Sequence, residues 1–77
     1  WKQINGAWYH FNSSGYMQTG WLKLDGQWFY LADSGAMLTG WQAINGKWYY
    51  LGTDGVMYED TWTPDGFYVN GSGVWVQ

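Results

Sequence analysis

Short runs rich in aromatic and aliphatic residues recur along the chain, separated by glycine-containing turns. Residues 21–24 read WLKL and 27–31 read QWFYL; residues 41–44 read WQAI and 47–51 read KWYYL. WKQI and AWYHF, at 1–4 and 7–11, repeat the arrangement. Within each pair the two runs are separated by two residues: Asn5-Gly6, Asp25-Gly26 and Asn45-Gly46. Asn-Gly or Asp-Gly between aromatic or β-branched runs predicts a hairpin with a type I′ turn, because both central residues of that turn need positive φ.

A two-residue turn fixes the register. With Asp25-Gly26 at the tip, Leu24 faces Gln27, Lys23 faces Trp28, Leu22 faces Phe29 and Trp21 faces Tyr30. Paired residues share a face and successive residues alternate. One face of this hairpin therefore carries Trp21, Lys23, Trp28 and Tyr30, and the other Leu22, Leu24, Phe29 and Leu31. The same register gives Trp41, Ala43, Trp48 and Tyr50 against Gln42, Ile44, Tyr49 and Leu51. In the first hairpin it sets Trp1, Gln3, Trp8 and His10 against Lys2, Ile4, Tyr9 and Phe11. Aliphatic side chains thus gather on one side and tryptophans on the other.

Sliding the chain along itself by twenty residues superimposes Trp1, Trp21 and Trp41, and also Trp8, Trp28 and Trp48. Gly15, Gly35 and Gly55 coincide, as do Met17, Met37 and Met57. A fourth, irregular unit begins near Trp62, with its turn at Pro64-Asp65-Gly66, an aromatic pair Phe67-Tyr68, and Trp75 where methionine stood before. The segments NSSG, ADSG and GTDG are turns that lead from one hairpin to the next. Fixed-period self-similarity predicts an all-β solenoid of hairpins, each burying its face against its neighbours, with an atypical last unit as a cap. Residues 1–77 are read as one module with units 1–20, 21–40, 41–60 and 61–77.

Composition narrows the chemistry. Trp, Tyr and Phe together outnumber Ala, Val, Ile and Leu, and Trp and Tyr suit surfaces that are half apolar and half wet. Without cysteine there is no disulfide framework. A net charge of −3 with only three basic residues argues against nucleic acid, and no apolar run approaches a membrane span. The abrupt start at Trp1 reads as a fragment of a longer protein.

Two tryptophans of one hairpin with a tyrosine of its neighbour would form a box of π-faces that attracts a weakly hydrated cation, above all a quaternary ammonium. Periodicity alone supports equally a box that serves only as packing between hairpins. The stretch GWLKLDGQWFYLADSGAMLTGW resembles the repeat of choline-binding modules, the cell-wall-binding repeats of Gram-positive surface proteins and lytic enzymes. The resemblance covers residues 1–60 closely and 61–77 loosely. It implies a left-handed superhelix, with choline held between adjacent hairpins by two Trp of one repeat, an aromatic of the next and a nearby Met. Carried across, the sites are Trp1, Trp8 and Tyr30; Trp21, Trp28 and Tyr50; and Trp41, Trp48 and Tyr68, with Met17, Met37 and Met57 as the apolar partners. The Tyr is taken as the third ring because strand alternation puts it on the Trp face.

Nothing else in the chain assembles a reaction centre. His10 is the single imidazole, and the carboxylates fall mostly in turns, where they satisfy local N–H groups. Glu59 and Asp60 form a weakly supported glycosidase pair. No catalytic residue, metal site or cofactor is expected. The implied function is non-catalytic anchoring to choline of teichoic or lipoteichoic acid at a bacterial surface, outside the cell, in a parent protein that carries any catalytic domain elsewhere; a homodimer is left open. Rival readings are a carbohydrate-binding module, since related repeats occur in glucansucrases and clostridial toxins, and a spacer or dimerisation element. Relatives that bind sugars more often lack Trp at the positions of Trp8, Trp28 and Trp48, which favours choline.

Overall fold

The computed structural model describes residues 1–76, which form strands and turns with no helix among them. The fold is all-β, built from repeated antiparallel hairpins, and the chain divides into two compact units, Trp1–Leu38 and Thr39–Gln77. In the first unit β1 (Lys2–Ile4) pairs with β2 (Ala7–Tyr9), and β3 (Gly20–Leu24) with β4 (Gln27–Leu31). In the second, β5 (Gly40–Ile44) pairs with β6 (Lys47–Leu51), and β7 (Thr61–Trp62) with β8 (Tyr68–Val69).

The register follows the turns, as the sequence predicts. Lys23 faces Trp28 and Trp21 faces Tyr30; Ala43 faces Trp48 and Trp41 faces Tyr50. Asn5, Asp25 and Asn45 each adopt φ 51°, followed by Gly6, Gly26 and Gly46 at 84°, 80° and 78°. Those left-handed pairs are the backbone of a type I′ turn. The fourth hairpin turns differently. Its Gly66 N–H donates to the Thr63 carbonyl at 3.0 Å and Thr63 N–H to the Phe67 carbonyl at 2.7 Å, so three residues, Pro64-Asp65-Gly66, form the loop. Pro64 presets the first turn position and Gly66, at φ 91°, supplies the left-handed residue that closes such a loop.

After each hairpin the chain makes a second turn and sends back a short third segment. Asn12 and Asn70 hold two of these turns, their side-chain oxygens accepting from the N–H groups of Ser14 and Tyr16, and of Ser72 and Val74. The returning residue then pairs with its own hairpin: Met17 with Phe11, Met37 with Leu31, Met57 with Leu51 and Trp75 with Val69. It also binds the preceding hairpin. Met37 N–H donates to the Trp8 carbonyl, and Trp75 N–H to the Trp48 carbonyl, each at 2.8 Å. Within a unit these bonds lash one repeat onto the other.

Burial separates the two faces. Leu31, Leu51 and Val69, which stand at one repeat position, are wholly buried, and Phe29 and Ile44 nearly so, whereas Trp8 and Trp48 remain 41% and 46% exposed. Aliphatic residues carry no polar tip and fill the interior; the indoles of Trp8 and Trp48 stay partly in water. Two methionines fill the gap between consecutive repeats. A Cβ added at Gly35 would stand 2.3 Å from the Met17 sulfur, and one at Gly73 2.4 Å from the Met57 sulfur.

Substitutions on this spine are expected to be costly. Leu51→Ala leaves a cavity and is expected to destabilise by about 2–5 kcal/mol. Gly73→Ala meets both the Met57 thioether and a φ of 82°, and over-packing of this kind typically costs about 1–3 kcal/mol. Thermal melts of both variants check this, and a Gly73→Ala chain that melts with the parent contradicts the close approach described.

Candidate functional site

A cavity of about 340 Å³ in the second unit is walled by Trp41, Trp48, Phe67 and Trp75. Trp41 and Trp48 come from β5 and β6; Trp48 pairs with Ala43, two residues along β5 from Trp41, so both lie on the same face. Phe67 leads into β8 from the fourth turn. Trp75 arrives on the returning segment, fixed by its N–H on the Trp48 carbonyl. Trp41 lies 5.9 Å from Phe67 and 6.4 Å from Trp75, and Phe67 lies 5.8 Å from Trp75, at interplanar angles of 81°, 70° and 88°. Edge-to-face contacts at these separations are the arrangement aromatic quadrupoles favour. The cavity they enclose is lined by aromatic rings alone, a surface that suits a weakly hydrated cation.

A carboxylate is locked to one wall. Trp41 Nε1–H donates to Asp65 Oδ2 at 2.8 Å, and the Thr63 hydroxyl donates to Asp65 Oδ1. Thr63 is buried, and its Oγ1 in turn accepts from Phe67 N–H at 3.1 Å. The Thr63 bond and then the Trp41 bond hold the Asp65 carboxyl below the usual carboxylate range, because both favour the ionised form.

The first unit repeats this framework. Trp1 lies 5.2 Å from Phe29, and Met37 N–H donates to the Trp8 carbonyl as Trp75 does to Trp48. Trp1, Trp8, Phe29 and Met37 are therefore the counterparts of Trp41, Trp48, Phe67 and Trp75. His10 packs edge-on against Trp1 at 5.0 Å, with its Nδ1 buried and unbonded. Burial lowers its pKa. On the Trp face of the second hairpin, where Trp21 and Trp28 meet edge-on at 6.0 Å, the Lys23 ammonium sits 5.6 Å from the Trp28 ring centroid. One indole thus already holds a cation.

The geometry departs from the sequence expectation at the third ring. Tyr30 lies on Trp21 of its own hairpin at 5.0 Å, and Tyr68 on Trp62 at 5.3 Å. The rings that approach Trp1 and Trp41 from the next hairpin are Phe29 and Phe67. The reason is stacking: the Trp face of one hairpin meets the opposite face of the next, so the ring supplied is the one pointing away from that hairpin's own Trp. Tyr50 packs on Trp41 at 5.1 Å and on Tyr58 at 5.0 Å within the second unit, while Trp21 and Trp28 belong to the first. Met17 and Met57 sit against Gly35 and Gly73. Trp75 was placed by repeat alignment at the methionine position, but its part as a wall required the fold. Among the described residues no group of His, Cys, Asp and Glu comes together in a way that could hold a metal ion.

Tyr68 has a different task. Its hydroxyl donates to the Asp60 carboxylate; Asp60 takes φ 52°, at the position where Gly20 and Gly40 adopt 75° and 72°. The Asp60 hydrogen bond is the chief cause that raises the Tyr68 pKa. The bond favours the neutral phenol, so its contribution is complete below the ordinary tyrosine range and is lost as pH rises through the raised value. NMR titration of the Tyr68 ring in Asp60→Asn is expected to show ionisation at lower pH than in the parent. Identical titration in both would contradict the bond.

Comparison with known proteins follows the same outline. Sequence profiles of two choline-binding repeat families match, one over residues 1–39 and the other over 39–75. A comparison against curated proteins gives no match. Among solved structures, choline binding protein F from Streptococcus pneumoniae is 45% identical with a TM-score of 0.95, over 100% of this chain and 26% of that one. The choline binding domain of Spr1274 from Streptococcus pneumoniae is 45% identical at a TM-score of 0.91, over 100% of this chain and 93% of that one. A truncated alternansucrase from Leuconostoc mesenteroides is 30% identical at a TM-score of 0.74, over 97% of this chain and 7% of that one. The chain spans about a quarter of the length of the first of these relatives. With two profiles covering nearly its whole length and hairpins that superimpose on these domains, the chain belongs to the choline-binding repeat family.

Proposed function

We propose that this module anchors its parent protein to a bacterial cell wall by holding the choline of teichoic or lipoteichoic acids in aromatic boxes, one in each unit. The single observation that carries this reading is the four-ring cavity of Trp41, Trp48, Phe67 and Trp75. A trimethylammonium head spreads its charge over methyl groups and sheds water easily, so it gains from π-faces what a compact, strongly hydrated ion does not. Further support is the Lys23 ammonium over Trp28, and the names of the relatives, one of which, choline binding protein F, was crystallised in the presence of a peptidoglycan analogue.

In the box of the second unit the rings of Trp41 and Trp48 are the faces for the cation, with Phe67 and Trp75 closing the sides. Trp1, Trp8, Phe29 and Met37 do the same in the first, with a thioether for the fourth ring. Each cation–π contact contributes roughly 0.5–2 kcal/mol, so a box of this size binds choline at about millimolar levels. Repetition turns that weak grip into retention, because tethered boxes meet a wall that displays many cholines at high effective concentration. The role is adhesive and extracellular. Any bond-breaking chemistry of the parent protein belongs to residues outside this chain.

A carbohydrate-binding reading has one observation in its favour, the 30% identity to a truncated alternansucrase. Titration of intrinsic Trp fluorescence separates the readings. Choline is expected to shift or quench emission at about millimolar concentration, while ammonium chloride and glucose oligomers leave it nearly unchanged. Equal responses to choline and ammonium would mean that the boxes do not read the methyl groups, and a response to the oligomers alone would transfer the function to sugars.

A further inference from the structure

The two boxes differ in one charged group, and that difference has a physical consequence. In the second unit a carboxylate is held at the edge of a wall ring: Asp65 Oδ2 lies 2.8 Å from Trp41 Nε1, and the buried Thr63 hydroxyl fixes the other oxygen. Among the described residues Trp1, the counterpart ring of the first unit, is hydrogen-bonded to no carboxylate. The cause lies in the turns. A two-residue Asp-Gly turn commits Asp25 to the tip at φ 51°. The three-residue Pro64-Asp65-Gly66 loop brings the Asp65 carboxylate back to Thr63, the residue that precedes the loop, and onto the Trp41 indole. Nothing in the hairpin's pairing demands that bond. Phe67 N–H already has the Thr63 hydroxyl, and Asp65 is exposed, where water would satisfy it equally well.

A carboxylate at an indole N–H acts on a bound cation in two ways. It accepts the N–H proton's partial charge, which pushes electron density into the ring and deepens the negative potential of its π-face. It also places a full negative charge beside the Trp41 edge of the cavity, exposed to water and therefore screened by salt. The hydrogen bonds from Thr63 and Trp41 favour the ionised form of that carboxylate. Resting on the reading of the cavity as a quaternary-ammonium box, we infer that Asp65 is a positioning and charge-selecting residue for the Trp41–Trp48–Phe67–Trp75 site. It makes that site discriminate a cationic head from a neutral one of the same shape more strongly than the Trp1 box does.

The test uses the whole chain and two probes of equal shape, choline and its uncharged carbon isostere 3,3-dimethyl-1-butanol. The Trp41 indole N–H resonance reports the site, assigned by its loss in Trp41→Phe. Asp65→Asn keeps an acceptor for the indole and removes the charge. It is expected to weaken choline about twofold to fivefold at low salt, the range of exposed charge pairs, and to leave the isostere unchanged. Asp65→Ala also drops the acceptor and is expected to weaken both probes. In the parent, raising salt is expected to reduce the preference for choline over the isostere, and in Asp65→Asn that salt-dependent part is expected to be gone. Equal weakening of both probes in Asp65→Asn, or no change in either, would overturn the inference while leaving the box intact. A parent chain whose Trp41 resonance is unmoved by choline would instead overturn the box, and the role of Asp65 with it.

Discussion

The backbone bond from the returning segment to the preceding hairpin governs both stability and site in this chain. Met37 N–H on the Trp8 carbonyl and Trp75 N–H on the Trp48 carbonyl are each worth only about 0.5–1.5 kcal/mol net. Their effect is geometric. Because the accepting carbonyl belongs to a box tryptophan, the bond that stacks two repeats also brings the fourth wall of the box to that tryptophan. Folding and assembly of the site are therefore one event. A hairpin alone has neither a buried face nor a completed cavity, consistent with the marginal stability of isolated two-stranded ribbons.

Placing aromatics on one face and aliphatics on the other answers two requirements at once. The interior needs groups without polar atoms, and Leu31, Leu51 and Val69 supply them at full burial. A cation site needs flat, electron-rich, partly wetted rings, and a small domain without disulfides needs large contact areas. Trp meets both, burying much of its area while part of it stays exposed. Methionine mediates between the roles: its flexible thioether fills the gap beneath Gly35 or Gly73. Where Trp75 replaces it, the same backbone position supplies an aromatic wall.

Much of this was legible in the sequence, and the limits are equally physical. The Asn-Gly and Asp-Gly turns permit one register, and from that register the faces followed, so Trp21 opposite Tyr30 and Lys23 opposite Trp28 were readable residue by residue. Alternation states which residues share a face of one hairpin. It does not state which face the next hairpin presents. Tyr30 and Tyr68 were therefore assigned where Phe29 and Phe67 stand, since stacked hairpins meet Trp face to opposite face. The fourth hairpin hid Asp65 in the same way. Its Pro-Asp-Gly triplet reads as a turn, but only the three-residue loop closing on Thr63 sends the carboxylate to Trp41.

The central claim is that the rings gathered around Trp41, and not the tyrosines of the Trp faces, receive the ligand. Nuclear Overhauser effects between the methyl protons of choline and assigned aromatic protons test it most directly. The account predicts contacts to Trp41, Trp48, Phe67 and Trp75, with none to Tyr68. Contacts to Tyr68 without Phe67, or saturating choline with no contact to any of the four rings, would contradict it.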